Sequence, residues 1–138
     1  MIKKILVAYD GSESAGKAFS FALDLAKRYA AALTVLSVAL LPEPPEDVET
    51  EAVLESAKER YEKLFAALKQ KAGEEGVAPH FEIVAGHPAE RIIYFAEQNG
   101  VDLIVMGHRG KTFIERWLLG SVSKRVISYA RCSVTVVR

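Results

Sequence analysis

Two short segments hold the residue types best suited to chemistry. Tyr9-Asp10-Gly11-Ser12 follows an apolar run and supplies a carboxylate; Gly107-His108-Arg109-Gly110 follows another, and residues 111–119 separate it from Gly120-Ser121-Val122-Ser123. Glycines let the backbone turn freely and let a ligand approach main-chain N–H groups with no β-carbon in the way. The second segment ends where a helical pattern begins. The first N–H groups of a helix have no partner within it and form the positive end of its dipole, so such a start receives anions, phosphate above all. Ser121 and Ser123 add hydroxyls, and Arg109, Lys111, Lys124 and Arg125 raise the local positive potential. The same residues also fit a plainer role, with Gly107 and Gly110 turning the chain and Ser121 capping a helix.

Other candidates are weaker. Gly11 to Lys17 reads G-x-x-x-x-G-K, the start of a phosphate-binding P-loop, but Ala18 stands where that motif needs a hydroxyl for magnesium. Gly16 and Lys17 fall inside a helical pattern instead. His80, His87 and His108 share no metal-ligand spacing, so no metal site is expected. Ser121 has no linked base and no G-x-S-x-G elbow is present, which leaves no catalytic residue to assign. Cys132 reads as a small apolar residue before the last strand, with Arg131 beside it as the feature that would activate its thiolate. Trp117, Phe113, Ile114, Leu118 and Leu119 form an apolar cluster suited to a short helix, a dimer surface or a lid.

The elements that must position these loops follow from periodicity. Apolar β-formers at residues 5–8, 33–39, 81–84, 103–106 and 134–137 predict five strands, most of them apolar without alternation, as strands covered on both faces are. Between them the spacing is helical. Ala15, Ala18, Phe19, Ala22, Ala26, Tyr29 and Ala30 line a first helix capped by Ser12; Val53, Leu54, Ala57, Tyr61, Leu64, Phe65 and Leu68 line a second, with Gly73 or Gly76 available to end it. Pro88 opens a third helix that Asn99-Gly100 closes, and a fourth runs from Gly120-Ser121 to about Arg131. The proline-rich stretch at residues 41–45 stiffens the path into the second helix. Strands alternating with helices imply a parallel sheet with right-handed crossovers, and ligands of such sheets bind beyond the carboxyl ends of the strands.

Composition sets the outer bounds. With 138 residues and half of them apolar, the chain reads as one domain, residues 1–138, large enough for a core that needs no disulfide or metal. Eighteen basic residues balance eighteen acidic ones, which argues against a nucleic-acid binder. The charge is uneven, however: residues 46–75 hold nine acids and five bases, whereas residues 107–138 hold seven bases and one acid. The last quarter therefore attracts a small anion. One cysteine suits a reducing cytoplasm, no apolar run is long enough for a bilayer, and Met1-Ile2-Lys3-Lys4 leads straight into a strand pattern with no sign of a secretion signal.

The series Gly107-x2-Gly110-x9-Gly120-Ser121 resembles the nucleotide-binding signature of the universal stress protein family, in its ATP-binding branch. The similarity covers essentially the whole chain: residues 5–12 resemble that family's first strand and acidic loop, Gly86-His87-Pro88-Ala89 the start of its third helix, and residues 101–107, with Met106 at the strand end, its fourth strand. The resemblance implies a flavodoxin-like, doubly wound, five-stranded parallel sheet in the order 3-2-1-4-5 with helices on both faces. It implies ATP at the strand ends, Asp10 on the ribose, the backbone of Val38 on the adenine, and the segment Met106, Gly107, His108, Arg109 and Gly110 with Gly120, Ser121, Val122 and Ser123 around the phosphates. Magnesium would be held mainly by phosphate oxygens and water. The resemblance further implies a homodimer, and the C-terminal strand at the sheet edge is the natural place to form it; no membrane or nucleic acid is involved, and the downstream protein partner is not specified. Two alternatives stand beside a nucleotide-dependent stress-response or signalling module: a slow ATPase in which Asp10 or His108 orients water, and a nucleotide-free dimeric scaffold. Ala30 departs from the family pattern, standing where many relatives end the first helix with glycine.

Overall fold

The computed structural model describes residues 1–41, 47–108 and 120–138, with the backbone alone at 47–49. Five strands, β1 (Lys4–Ala8), β2 (Ala32–Leu40), β3 (His80–Gly86), β4 (Leu103–Gly107) and β5 (Ser133–Val137), alternate with four helices, α1 (Glu13–Tyr29), α2 (Asp47–Glu74), α3 (Pro88–Gln98) and α4 (Ser121–Tyr129). All strand pairs are parallel and the sheet order is β3-β2-β1-β4-β5. This is the doubly wound sheet expected, and crossover direction reverses between β1 and β4.

Strand alternation divides the core. Ile5, Val7, Tyr9, Leu33, Val35, Leu103 and Val105 face one side, where they pack with Ala18, Phe19 and Ala22 of α1 and Tyr61, Phe65 and Leu68 of α2. Leu6, Leu36, Ile104 and Met106 face the other, against Ala89, Ile92 and Ala96 of α3 and Val126 of α4. Both faces are covered, which is why the central strands read as unbroken apolar runs.

Local chemistry sets the helix ends. The Ser12 side chain accepts the Ala15 N–H at 3.1 Å and starts α1. Its other end falls at Ala30, in the left-handed region at φ 51° and ψ 41°. Gly76, at φ +73°, lets the chain leave α2, as one of the two glycines anticipated there. Helix α2 begins at Asp47, upstream of its apolar stripe; its first turns are mostly acidic and polar in sequence and so carry no apolar periodicity to mark the start. Pro88 occupies the first turn of α3, where its missing N–H costs nothing. Gly16 and Lys17 lie inside α1, so the G-x-x-x-x-G-K string forms no phosphate loop. Among the described residues no helix is long and apolar enough to cross a membrane.

Candidate functional site

The crevice sits at the carboxyl ends of β1, β2 and β4, on the α3/α4 side of the sheet. It is lined by Ala8, Tyr9 and Asp10 after β1, Leu36 and Val38 of β2, Pro88 and Ile92 of α3, Met106 and Gly107 of β4, and Gly120, Val122 and Ser123 around the start of α4. Its free volume is about 140 Å³, close to the roughly 150 Å³ of an apolar cavity that accepts a benzene ring. One flat heterocycle fits, and the rest of a larger ligand would extend through the mouth.

Three stations cross this crevice in sheet order. On β2, even-numbered residues direct their main-chain groups toward β1, as the rungs from Ala32 N–H to Lys3 C=O at 2.8 Å and from Tyr9 N–H to Leu36 C=O at 2.9 Å show. Val38 follows in the same phase but lies past the end of β1, so its main-chain edge opens on the crevice. At the middle station, Asp10 Oδ1 accepts the Ser12 N–H at 2.9 Å, a turn that fixes the carboxylate at the rim. Asp10 is the one charged side chain among the described lining residues. Burial pushes the Tyr9 phenol above its ordinary value, and the charges of Asp10 and Tyr61 add to this. Burial raises Tyr61 as well, against the opposing effect of Arg60. Both rings therefore stay protonated beside Asp10 at neutral pH.

The third station is the head of α4. Gly120 is its N-cap and supplies no side-chain cap, so the N–H groups of Ser121, Val122 and Ser123 find no acceptor within the helix. The Gly120 N–H is not among these free donors, since it donates to the His108 carbonyl at 2.8 Å, and the His108 N–H donates to Val137 C=O at 3.0 Å. Ser123 is buried, and its hydroxyl donates to the Gly107 carbonyl at 3.0 Å. Among the described residues the donors left at the head of α4 are thus three backbone amides and the exposed Ser121 hydroxyl, whereas sequence alone suggested the Gly120 amide and the Ser123 hydroxyl as well.

Gly107 lines the crevice and has a second, structural reason to be glycine. A β-carbon there would lie 2.8 Å from the Ser14 main-chain carbon and 2.9 Å from its Cβ. Ser14 is itself buried at the first turn of α1 and its Oγ lies 3.4 Å from His108 Nδ1.

The structure therefore brings together Asp10, Val38, Met106, Gly107, Gly120, Val122 and Ser123. Ser121 is exposed at the first position of α4, and His108 stands behind the crevice against Ser14. Arg109, Gly110 and the Trp117 cluster lie outside the described residues, as does the proline-rich stretch from residue 42 onward. Sequence reasoning missed Ala8, Tyr9, Ala15, Leu36, Pro88 and Ile92 as lining residues; Ala8, Tyr9 and Pro88 lie at strand and helix ends, which could have signalled it, whereas Leu36 and Ile92 lie within their elements and carry no such mark. Cys132 is half-buried, and burial pushes its thiol up, against the activation anticipated from Arg131. Among the described residues no group of three His, Cys, Asp or Glu side chains could hold a metal ion.

Comparison with known proteins agrees with this architecture. The model of the universal stress protein family matches residues 1–138. Universal stress protein MJ0531 of Methanocaldococcus jannaschii is 40% identical over 141 residues, spanning 100% of this chain and 83% of that protein. Universal stress protein YxiE of Bacillus subtilis is 36% identical over 149 residues, spanning 100% of both. The solved structure of universal stress protein UspA from Lactobacillus plantarum superposes with a TM-score of 0.89 at 29% identity, covering 99% of this chain and 97% of that one. Two more distant structures share the fold, a universal stress protein in complex with cAMP at 22% identity and TM-score 0.67, covering 99% and 97%, and one from Archaeoglobus fulgidus in complex with dAMP at 19% and 0.67, covering 100% and 98%. With a family match along its whole length and relatives of this similarity, the chain belongs to the universal stress protein family.

Proposed function

We propose that this protein binds ATP across the three stations of the crevice and uses the nucleotide to set its state as a stress-response or signalling module in the cytoplasm. The observation that carries the reading is the order of the stations: an open main-chain edge at Val38 on β2, a fixed carboxylate at Asp10 after β1, and amides at Ser121, Val122 and Ser123 after β4 that have no acceptor among the described residues. Neighbouring strands are about 4.8 Å apart, so β2 and β4 stand roughly 10 Å from each other, about the length of a nucleoside. Adenine would occupy the apolar slot of Leu36, Val38, Ile92 and Met106, with its polar edge on the backbone of Val38. The ribose hydroxyls would donate to Asp10, and the phosphates would meet the head of α4. Complexes of the distant fold relatives with cAMP and dAMP show adenine nucleotides held on this architecture in those proteins.

Magnesium accompanying the triphosphate would take its ligands from phosphate oxygens and water, as this small, strongly hydrated cation commonly does. Arg109 and Gly110 would complete the phosphate surroundings. Binding, not turnover, is the proposed activity. A homodimer through β5, which presents one unpaired ladder edge, is part of the same reading.

Titration calorimetry of the purified protein with MgATP tests the proposal. Saturable binding, with thermal stabilisation that grows with nucleotide concentration, is the expected result. No heat and no shift at millimolar ATP would leave a nucleotide-free scaffold in its place. Steady-state phosphate release separates binding from the ATPase alternative: many turnovers per bound ATP, lost on changing Asp10 or His108, would favour the enzyme.

A further inference from the structure

The ladder between β1 and β2 stops one rung early, and a buried hydroxyl occupies the acceptor of the missing rung. In the register of these strands the carbonyls of β1 accept from even-numbered residues of β2, beginning with the Ala32 N–H on Lys3 C=O. The last rung in place is the Tyr9 N–H on Leu36 C=O at 2.9 Å. The next acceptor in phase is the Tyr9 carbonyl, and the next donor is the Val38 N–H. That rung is not made. Instead the Tyr9 carbonyl accepts the Ser37 hydroxyl at 2.6 Å, from a side chain with no solvent exposure.

We infer that Ser37 is a positioning residue that keeps the Val38 N–H open to a ligand by holding the Tyr9 carbonyl, and so sets which base the crevice accepts. This rests on the nucleotide reading above for its ligand, but its structural half does not depend on any ligand. Ser37 projects to the α1/α2 side of the sheet, opposite the crevice, so it touches no bound molecule and acts only through Tyr9 and Val38. An adenine edge offers an acceptor at N1 beside a donor at the 6-amino group; it pairs with one N–H and one C=O in that order. Hypoxanthine presents N1–H and a 6-oxo group, the reverse. With its N–H free, Val38 distinguishes the two. Were the rung closed, the donor would be lost, leaving a carbonyl that cannot tell the bases apart as well. Fixing the Tyr9 carbonyl also fixes the peptide that carries Asp10, so the base and ribose stations share one anchor.

The test compares Ser37→Ala with Ser37→Thr, which keeps the hydroxyl. Amide hydrogen exchange at Val38, followed by NMR in the ligand-free protein, reads the structural half. The Val38 amide should exchange at least about tenfold more slowly in Ser37→Ala, as the Tyr9 carbonyl recaptures it, and at nearly the wild-type rate in Ser37→Thr. The ratio of ATP to inosine triphosphate affinity reads the functional half. It should fall about tenfold in Ser37→Ala and recover in Ser37→Thr, whereas a merely structural loss would lower both affinities equally. Unchanged exchange at Val38 in Ser37→Ala, or an equal loss for the two nucleotides, overturns the inference. Wild-type protein that binds neither nucleotide would remove the ATP reading and the specificity claim, and the exchange comparison would still decide the rung.

Discussion

Ser14 of α1 lies against Gly107 of β4, 93 positions away in the chain, so closely that a β-carbon on Gly107 would come within 2.9 Å of the Ser14 Cβ. Ser123 of α4 holds the Gly107 carbonyl at 3.0 Å. The end of β4 is therefore gripped by the first turns of two helices on opposite faces of the sheet. Gly107→Ala should destabilise the protein by about 2 kcal/mol, in the range of overpacked cores. Ser14→Gly should recover only part of that loss, because the Ser14 main-chain carbon stays 2.8 Å from the added methyl. Denaturant melts of the two single variants and the double variant measure both numbers; a Gly107→Ala change below about 0.5 kcal/mol would contradict the contact.

The donors at the head of α4 can be removed one at a time without breaking the helix. Proline is well tolerated at the first helical position, and Gly120 before it, at ψ 152°, has the extended backbone that a following proline requires. Ser121→Pro deletes one amide donor. A hydrogen bond to a charged group contributes about 1.5–3 kcal/mol, so ATP affinity should fall roughly ten- to a hundredfold with little change in melting temperature. Equal affinity in calorimetry would place the phosphates elsewhere.

Two substitutions should stabilise the fold. Ala30 sits at φ 51°, a conformation that costs an L-residue with a β-carbon about 1–2 kcal/mol. Ala30→Gly should gain about 0.5–1 kcal/mol net of the greater chain entropy of glycine, a rise of about 2–4 °C in Tm. Gly16 lies inside α1 with open space around a would-be β-carbon, so Gly16→Ala should give a similar gain. Thermal melts check both, and a loss of stability on Ala30→Gly would mean that the end of α1 is held differently.

Asp102 ties the start of β1 to the approach to β4, accepting the N–H groups of Lys3 and Lys4 at 2.8 and 2.9 Å on one oxygen. Those bonds hold its carboxyl below the ordinary 3.8, the Lys3 bond first, with nearby positive charge assisting. A depressed carboxylate contributes stability above its unfolded-state pKa and loses it as pH falls through the folded-state value. The stability gap between wild type and Asp102→Ala should therefore be constant near neutrality and narrow below about pH 3.8. A gap that widens on acidification would reverse the assignment.

Cys132 should react slowly. Its thiol is half-buried and raised above 9.0, chiefly by burial, so little thiolate is present at neutral pH. Alkylation of native protein at pH 7 should be much slower than that of the unfolded chain; equal rates would restore a redox role.

How much of this was legible in the sequence depends on the reach of each signal. Unbroken apolar runs marked β1, β2 and β4 because burial on both faces removes alternation, and Pro88 marked the start of α3 because its chemistry is local. Asp10 and the Gly120-Ser121 boundary were legible for the same reason. Ser14 and Ser37 were not. Each acts through a contact set by topology, Ser14 on Gly107 and Ser37 on the Tyr9 carbonyl, and a small polar residue in a helix or strand carries no periodic mark of its partner. The glycine at 107 was noticed for what it opens to a ligand, but its contact with Ser14 was not, since a missing β-carbon leaves room for protein as readily as for ligand. Gly120 was likewise read as a free donor, and only the bond to the His108 carbonyl reveals otherwise.

That bond has a consequence for how this surface can vary. His108 and Gly120 are joined directly, and His108 is joined in turn to Val137, so the end of β4, the head of α4 and the last strand are moored to one another by main-chain bonds alone. Such moorings are indifferent to side-chain identity: short of a proline at 108 or 120, which would delete a donor, substitutions at these three positions can retune the surface while the helix keeps its berth on the sheet.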